Sequence, residues 1–312
     1  MRSRHDPVAC RVCPACENLE PIREGEAVWP AGWQCANCGA AVPLSDGVPS
    51  YAPRLADTLT GFDPAAFDWL VEQEAGHFWF EPRNKLLLAL ANKYFQKSGH
   101  YLEIGCGTGF VLDRFTRARR WASVTGSELH PAGLKHARAR LKTRAFFVQM
   151  DARRIPARDA FDLIGSYDVL EHIEDDEAVL RAVHSALKGG GGFIASVPQH
   201  PFLWSAADEL AHHKRRYWRG ELEAKLSSAG FEIVASTSFA AIVTPLMAAT
   251  RLRQKKARME DFIRREFAVP RPLNFVLKAV LNAEVSATAK GLSWPFGGSR
   301  VVVAKKRQQR CG

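Results

Sequence analysis

The chain has no run of about 18 apolar residues, the length a membrane-spanning helix needs. Its longest apolar tract, Phe239 to Ala249, is shorter and contains Thr244 and Pro245. No apolar stretch follows Met1, so no secretory leader is expected and the chain is expected to be cytoplasmic. Cysteine is nearly absent beyond residue 38, since five of the seven lie in the first 38 residues. That distribution argues against a disulfide framework and for metal-ligand spacing. Excess negative charge is also missing: 43 Lys and Arg face 33 Asp and Glu, a net +10. A basic chain admits an anionic partner such as a phosphate, an anionic lipid surface or nucleic acid, beside the plainer reading of a solvated basic surface. What is present is enough for a large core, with 46% hydrophobic residues in 312. One large domain with a small module is the natural division.

Cys13-x2-Cys16 and Cys35-x2-Cys38 form two knuckles separated by eighteen residues. Each knuckle puts two thiolates on one tight turn, and two such turns complete a tetrahedron around zinc. Cys10 lies close enough to Cys13 to replace a ligand of the first pair, but Pro14 and the run Asn37-Cys38-Gly39 favour the Cys13/Cys16 and Cys35/Cys38 set. Four thiolates leave no position for water, so the role expected of the metal is structural.

Residues 102–109 read Leu-Glu-Ile-Gly-Cys-Gly-Thr-Gly, a short strand-like run broken by glycines at 105, 107 and 109 and followed by a helix-like segment, Phe110 to Arg119. Strand, glycine turn and helix in that order form a corner that cradles a nucleotide. The spacing is not that of a dinucleotide site, because position 110 is Phe. Glu103, two residues before the first glycine, is placed to accept from a cationic amino group or from the loop backbone. Further strands are expected at Ser123–Gly126, ending at Glu128, and at 146–149, 161–166, 193–197, 231–235 and 300–304. Glu128, at the end of the second strand, offers two oxygens to the two hydroxyls of a ribose. Lys188 to Gly192 is expected to be a tight helix-to-strand turn.

The 102–109 stretch resembles motif I of the class I S-adenosylmethionine (SAM) methyltransferases, and the resemblance extends over about residues 80 to 305. It implies an α/β, Rossmann-like, seven-stranded class I methyltransferase sheet preceded by a small zinc ribbon. The division expected is a ribbon at 1–52, a linker and helical cap at 53–100, and a SAM-dependent methyltransferase domain at 101–312. The last two strands are normally joined by a short turn, so about 238–298 reads as a helical insert. The resemblance also implies cofactor contacts from Gly105, Cys106, Gly107, Gly109, Leu129, Ala152, Asp168 and Val169, with Asp151 at the position that accepts the adenine amino group. Asp151 equally suits a helix N-cap, and Cys106 suits packing better than nucleophilic attack. The aromatic run His77 to Phe80 reads either as a core plug or as a lid over the cofactor. In the second case Arg83 would meet the methionyl carboxylate.

Tyr167-Asp168-Val169-Leu170-Glu171-His172 resembles the same stretch in ubiquinone-pathway O-methyltransferases. That resemblance implies a possible divalent cation on Asp168, Glu171 and His172, while the helix dipole offers a metal-free account of the acids. His200 and His172 are the candidate catalytic groups. Trp204, His213, Arg215, Arg216 and Tyr217 are candidate substrate contacts on a polar, aromatic loop. The function implied is O-methylation of a small molecule, whether lipid-linked, glycosyl or quinone-like. The alternatives are an RNA methyltransferase that recruits substrate through the ribbon, and a non-catalytic SAM-binding scaffold. Against RNA, no Asn-Pro-Pro-Tyr-like motif follows the fourth strand. The insert, apolar then basic (Arg251, Arg253, Lys255, Lys256, Arg258), suits docking at the inner membrane face, a lid or a dimer surface.

Overall fold

The structure is a computed structural model that describes residues 8–56, 64, 66–97, 99–254 and 269–308. Lys255, Lys256 and Arg258 of the expected basic run lie outside the described residues, as does Arg310 of the basic tail.

The chain opens with β1 (Cys10–Val12), β2 (Leu19–Pro21), β3 (Leu44–Ser45) and β4 (Val48–Pro49), followed by α1 (Pro53–Ala56), α2 (Ala66–Glu74) and α3 (Phe80–Tyr94). Alternation then sets in with β5 (His100–Ile104), α4 (Phe110–Ala118), β6 (Ser123–Glu128), α5 (Pro131–Leu141) and β7 (Phe146–Gln149). It continues through β8 (Ala157–Arg158), β9 (Phe161–Tyr167), α6 (Asp176–Ala186), β10 (Leu187–Pro198), α7 (Ala206–Leu210) and α8 (Glu221–Ser228). The described chain ends with β11 (Phe231–Phe239), α9 (Thr244–Gln254), α10 (Arg271–Ala289) and β12 (Ser299–Lys306).

Seven strands form one sheet in the order β11-β12-β10-β9-β5-β6-β7. Five of them run parallel, and β12 is antiparallel to both β10 and β11. Tyr101, Leu102 and Ile104 of the central β5 are all buried, because helices cover both faces of a parallel sheet and its strands have no polar side. Each expected strand is present. β11 runs four residues past its expected end, to Phe239.

The four-glycine segment differs from expectation. It is not a turn before β10 but an irregular part of it: Leu187 pairs with Phe161 and Gly192 with Leu163, so extra residues bulge on one side. Gly190 has φ 77°, and a Cβ on Gly192 would stand 2.4 Å from the Phe95 ring. Gly192 therefore serves close packing against Phe95, and Gly190 a left-handed backbone.

The ribbon is built into the sheet domain. β1 pairs antiparallel with β8, Cys10 opposite Arg158. Trp29 donates its indole N–H to Pro156 O at 2.9 Å and packs on Phe161 with ring centroids 5.5 Å apart. Arg11 is almost fully buried and donates to Val28 O and Ala27 O. On the far side, the edge strand β7 is covered by the chain leaving β4. There Gln149, itself buried, exchanges hydrogen bonds with Ser50 and Ala52. An uncovered edge exposes unpaired backbone groups; here the chain after β4 covers it at Gln149, where Tyr51 N donates to Gln149 O at 2.8 Å.

The segment between β11 and β12 holds α9 and α10. α10 packs on α3: Asn274 bonds to the backbone at Gly76 and Phe78, and Lys278 pairs with Glu81. Glu284 of α10 is buried and accepts from Ile242 N at 3.0 Å just before α9 starts.

Candidate active site

Between β5 and α4 the chain turns through Gly105-Cys106-Gly107-Thr108-Gly109. The three glycines have φ of 64°, 49° and 75°, a region that a Cβ disfavours. A Cβ on Gly105 would stand 2.4 Å from Val169 Cγ2, and one on Gly109 would stand 2.7 Å from Leu141 Cδ1. The loop is thus pressed between the end of β9 and α5. Cys106 is buried against Gly126. Burial pushes its thiol well up, which suits packing and not nucleophilic attack.

Glu128 sits beside this loop at the end of β6. Its carboxylate accepts from Gly107 N (3.1 Å), Leu129 N (2.7 Å) and His130 N (3.2 Å). A carboxylate has about four acceptor sites, so capacity remains for a ligand hydroxyl. Glu103 lies under the loop and accepts from the Tyr101 hydroxyl at 3.1 Å. Burial pushes its carboxyl up to about 8, against that hydrogen bond. Asp151 takes the N-cap role: it accepts from Arg153 N at 3.0 Å, and both its oxygens hold Arg153 Nε. Ala152 is buried beside it.

α2 lies over the glycine loop. The Phe67 ring would be 3.4 Å from a Cβ on Gly107 and 3.1 Å from one on Gly133. Glu74 is buried; it accepts from the Thr108 hydroxyl and, at 2.8 Å, from Arg140. Sequence reasoning singled out none of Glu74, Thr108 and Arg140, because a glutamate in a helix's last turn carries no distinguishing signal. Trp79 of the aromatic run packs edge-on against Phe239 with centroids 5.2 Å apart, as a core plug does.

Arg83 projects from α3 to the carboxyl edge of the sheet, where it pairs with Asp168. Asp168 follows β9 with φ 57°, and its other oxygen accepts from Ser196 Oγ at 3.0 Å. Burial lowers the Arg83 pKa, but Glu171, Glu74 and Glu103 surround it with negative potential. Its Nε has no hydrogen-bond partner among the described residues.

The expected metal set of Asp168, Glu171 and His172 is not what the structure assembles. Asp168 is held by Arg83, and His213 takes the third place: ligand atoms of Glu171, His172 and His213 all lie within 4.8 Å of one another. Glu171 is fully buried, and neither carboxylate oxygen has a hydrogen-bond partner among the described residues. Burial pushes it up to about 8. Burial, with His213 nearby, brings His172 down to about 3, and the two rings meet edge-on at 4.8 Å. One carboxylate and two imidazoles form a donor set that suits a divalent transition metal.

His213 is itself oriented. Its Nδ1 lies 2.8 Å from Asp208 Oδ1, and its Nε2 lies 3.9 Å from Glu171. Burial opposes charge on Asp208, but hydrogen bonds from His213 and Arg216 outweigh it and hold the carboxyl at about 2. Nδ1 therefore carries the proton, and Nε2 faces Glu171.

The remaining loop residues divide. Arg216 is buried on Asp208 (2.7 Å) and Gln199 O. Tyr217 is fully buried, with its hydroxyl 2.6 Å from Asp176. Arg215 bonds to Glu174 O and Asp176. These three, expected to contact substrate, instead hold the loop to the core, because each polar head already has a protein partner. Trp204 is part exposed. His200 follows β10 with φ 64° and packs between Phe202 and Phe296, at 5.2 and 4.3 Å. It belongs to this aromatic stack, and His172 belongs to the Glu171 cluster.

In the ribbon, Sγ of Cys13, Cys16, Cys35 and Cys38 lie within 4.8 Å of one another. The Cys13–Cys38 and Cys16–Cys35 distances are 3.7 and 3.8 Å. Tetrahedral zinc with bonds of about 2.3 Å needs sulfurs about 3.8 Å apart, so the four residues fit that ion. Cys10 is not among them; it lies in β1 and its Sγ meets Val8 O.

Sheet order, glycine loop and acids at the carboxyl ends of β5 and β6 define the Rossmann-like fold of the class I, SAM-dependent methyltransferases. Residues 102–195 match the family model described as a methyltransferase domain. The chain is similar to a ubiquinone biosynthesis O-methyltransferase of Pseudomonas aeruginosa, 32% identical over 152 residues, which cover 42% of this chain and 64% of that protein. A protein of the same description from Methylobacterium nodulans is 28% identical over 142 residues, covering 44% of this chain and 53% of its own. The chain thus spans less than two thirds of the length of these relatives. A solved Haemonchus contortus phosphoethanolamine N-methyltransferase 2, in complex with S-adenosyl-L-methionine, shares the fold. The TM-score is 0.52 at 20% identity, over 78% of this chain and 57% of that one. No helix among the described residues is long and apolar enough to cross a membrane.

Proposed function

We propose that the protein transfers the methyl group of SAM to a hydroxyl oxygen of a small-molecule acceptor. The observation that carries this reading is Glu171. A fully buried carboxyl group with no hydrogen-bond partner on either oxygen among the described residues costs free energy unless a ligand completes it. It lies just past the carboxyl end of β9, where ligands of open α/β sheets bind.

SAM already carries a good leaving group, so the chain must align the acceptor and remove its proton. Glu128 is suited to the ribose, Glu103 to the methionyl ammonium, and the Arg83–Asp168 pair to the end of the site near the sulfonium. As the acceptor oxygen takes the methyl group, the carbon–sulfur bond breaks and S-adenosylhomocysteine leaves. The acceptor proton passes to His213 Nε2, and Asp208 steadies the resulting imidazolium. Glu171, His172 and His213 would alternatively hold a divalent cation, which would lower the pKa of the acceptor hydroxyl. Zinc on the four ribbon cysteines is read as structural.

Glu171→Gln and His213→Asn test this reading. Transfer of labelled methyl is expected to fall about a hundredfold or more, with SAM affinity held within about threefold of wild type. Unchanged transfer in both variants would remove the cluster from the chemistry. Label recovered in RNA would favour the ribbon-recruited alternative, and SAM binding without transfer to any acceptor would favour the scaffold reading.

A further inference from the structure

We propose that Glu74 and Arg140 are positioning residues for SAM: acting through the Thr108 hydroxyl, they hold the 105–109 loop in the shape that receives the cofactor. The proposal rests on the reading of that loop as the SAM site.

The loop needs such a hold. Three of its five residues are glycine, and a glycine gives up more backbone freedom on being fixed than any other residue. Thr108, between Gly107 and Gly109, carries the loop's one hydroxyl. It is 2% exposed and engaged on two sides. Its O–H donates to Glu74 Oε1, and its oxygen accepts from Arg140 Nη1 at 3.4 Å. Arg140 Nη2 closes the ring of contacts by donating to Glu74 Oε2 at 2.8 Å. Loop, α2 and α5 therefore meet in one network of three side chains. The Arg140 guanidinium also lies over the ring of Phe110, the first residue of α4, at 5.1 Å. Gly107 N, one residue before Thr108, donates to Glu128, the carboxylate suited to the ribose. A shift at Thr108 would thus carry over to Glu128.

The network does more than fasten α2. That helix has two other ties to α5: His136 Nε2 stands 2.8 Å from Asp68 Oδ1, and the Phe67 ring packs where Gly133 has no side chain. Glu74 is 4% exposed, and a buried ion pair adds little net stability over an apolar contact. What a hydrogen-bonded buried network does supply is one defined geometry. A loop ordered before SAM arrives has less freedom to lose on binding, and the difference appears as affinity.

The test measures SAM binding by the full-length protein in calorimetry, with no acceptor present, beside denaturant unfolding without SAM. Glu74→Gln and Arg140→Met are each expected to weaken SAM binding about tenfold. The double variant is expected to stay within about threefold of either single one, since each already breaks the same network. Asp68→Asn cuts the separate tie to His136 and is expected to leave SAM affinity within about threefold of wild type. Thr108→Ser keeps the hydroxyl and is expected to retain binding, while Thr108→Val is expected to bind about tenfold more weakly. Wild-type affinity in Glu74→Gln or Thr108→Val, whatever their loss of stability, would overturn the inference. So would a loss in Asp68→Asn equal to that in Glu74→Gln, because the docking of α2 as a whole, and not the hold on Thr108, would then be the cause. Wild-type protein that binds no SAM would instead remove the site reading on which the inference rests.

Discussion

Arg83 of α3 and Asp168 at the end of β9 form an ion pair across 85 residues of sequence, at the carboxyl edge of the sheet. Asp168 is kept in a left-handed conformation to meet it, a conformation that costs about 1 kcal/mol or more for a non-glycine residue. Replacing Arg83 with Met is expected to free Asp168 and to weaken SAM binding by tenfold or more, as calorimetry would show. Unaltered affinity would make the pair purely structural.

Gly105 gives the sharpest steric prediction. In Gly105→Val the new Cβ would stand 2.4 Å from Val169 Cγ2, and the residue must also adopt φ 64°. SAM binding is expected to vanish, while the zinc-to-protein ratio read by atomic absorption is expected to equal that of wild type, because none of Cys13, Cys16, Cys35 and Cys38 lies in this loop.

Glu103 predicts a pH dependence. Its carboxyl stands at about 8 without ligand, and a methionyl ammonium beside it would lower that value. SAM then binds the ionised form better, so affinity is expected to rise with pH up to about 8 and level off above it. Glu103→Gln should bind more weakly and lose that rise. Titration calorimetry between pH 6 and pH 9 reads both outcomes.

Removal of metal should be felt beyond the ribbon. Because β1 pairs with β8 and Trp29 packs on Phe161, Cys13→Ser or a chelator is expected to lower the melting temperature of the whole molecule in one transition. Two separate transitions, the later one unmoved, would show that the ribbon is energetically independent.

Asp208→Asn would leave Arg216 buried without its carboxylate. The loss expected is about 3–5 kcal/mol in denaturant unfolding, since Asp208 and Arg216 are both buried and 2.7 Å apart.

Most strands were legible because they hold short apolar runs bounded by turns, and the glycine loop because its three glycines follow a strand and precede a helix. The positions of Glu103 in β5 and Glu128 at the end of β6 followed from those strands. Residues whose roles depend on contacts across the chain did not follow. Asp168 looked like a metal ligand because Arg83, which neutralises it, is far away in sequence. Arg216 and Tyr217 looked like ligand contacts because basic and aromatic residues in a loop read as exposed, whereas Asp208 and Asp176 draw them into the core. The β1–β8 pairing was hidden for the same reason: two- and three-residue strands carry no periodicity.

The most direct test of the central claim is a transfer assay with methyl-labelled SAM and a lysate divided into lipid, polar small-molecule, protein and nucleic-acid fractions. The account predicts label in the lipid or polar small-molecule fraction with wild type and none with Gly105→Val. Label confined to nucleic acid, or wild-type protein that binds no SAM, would contradict it.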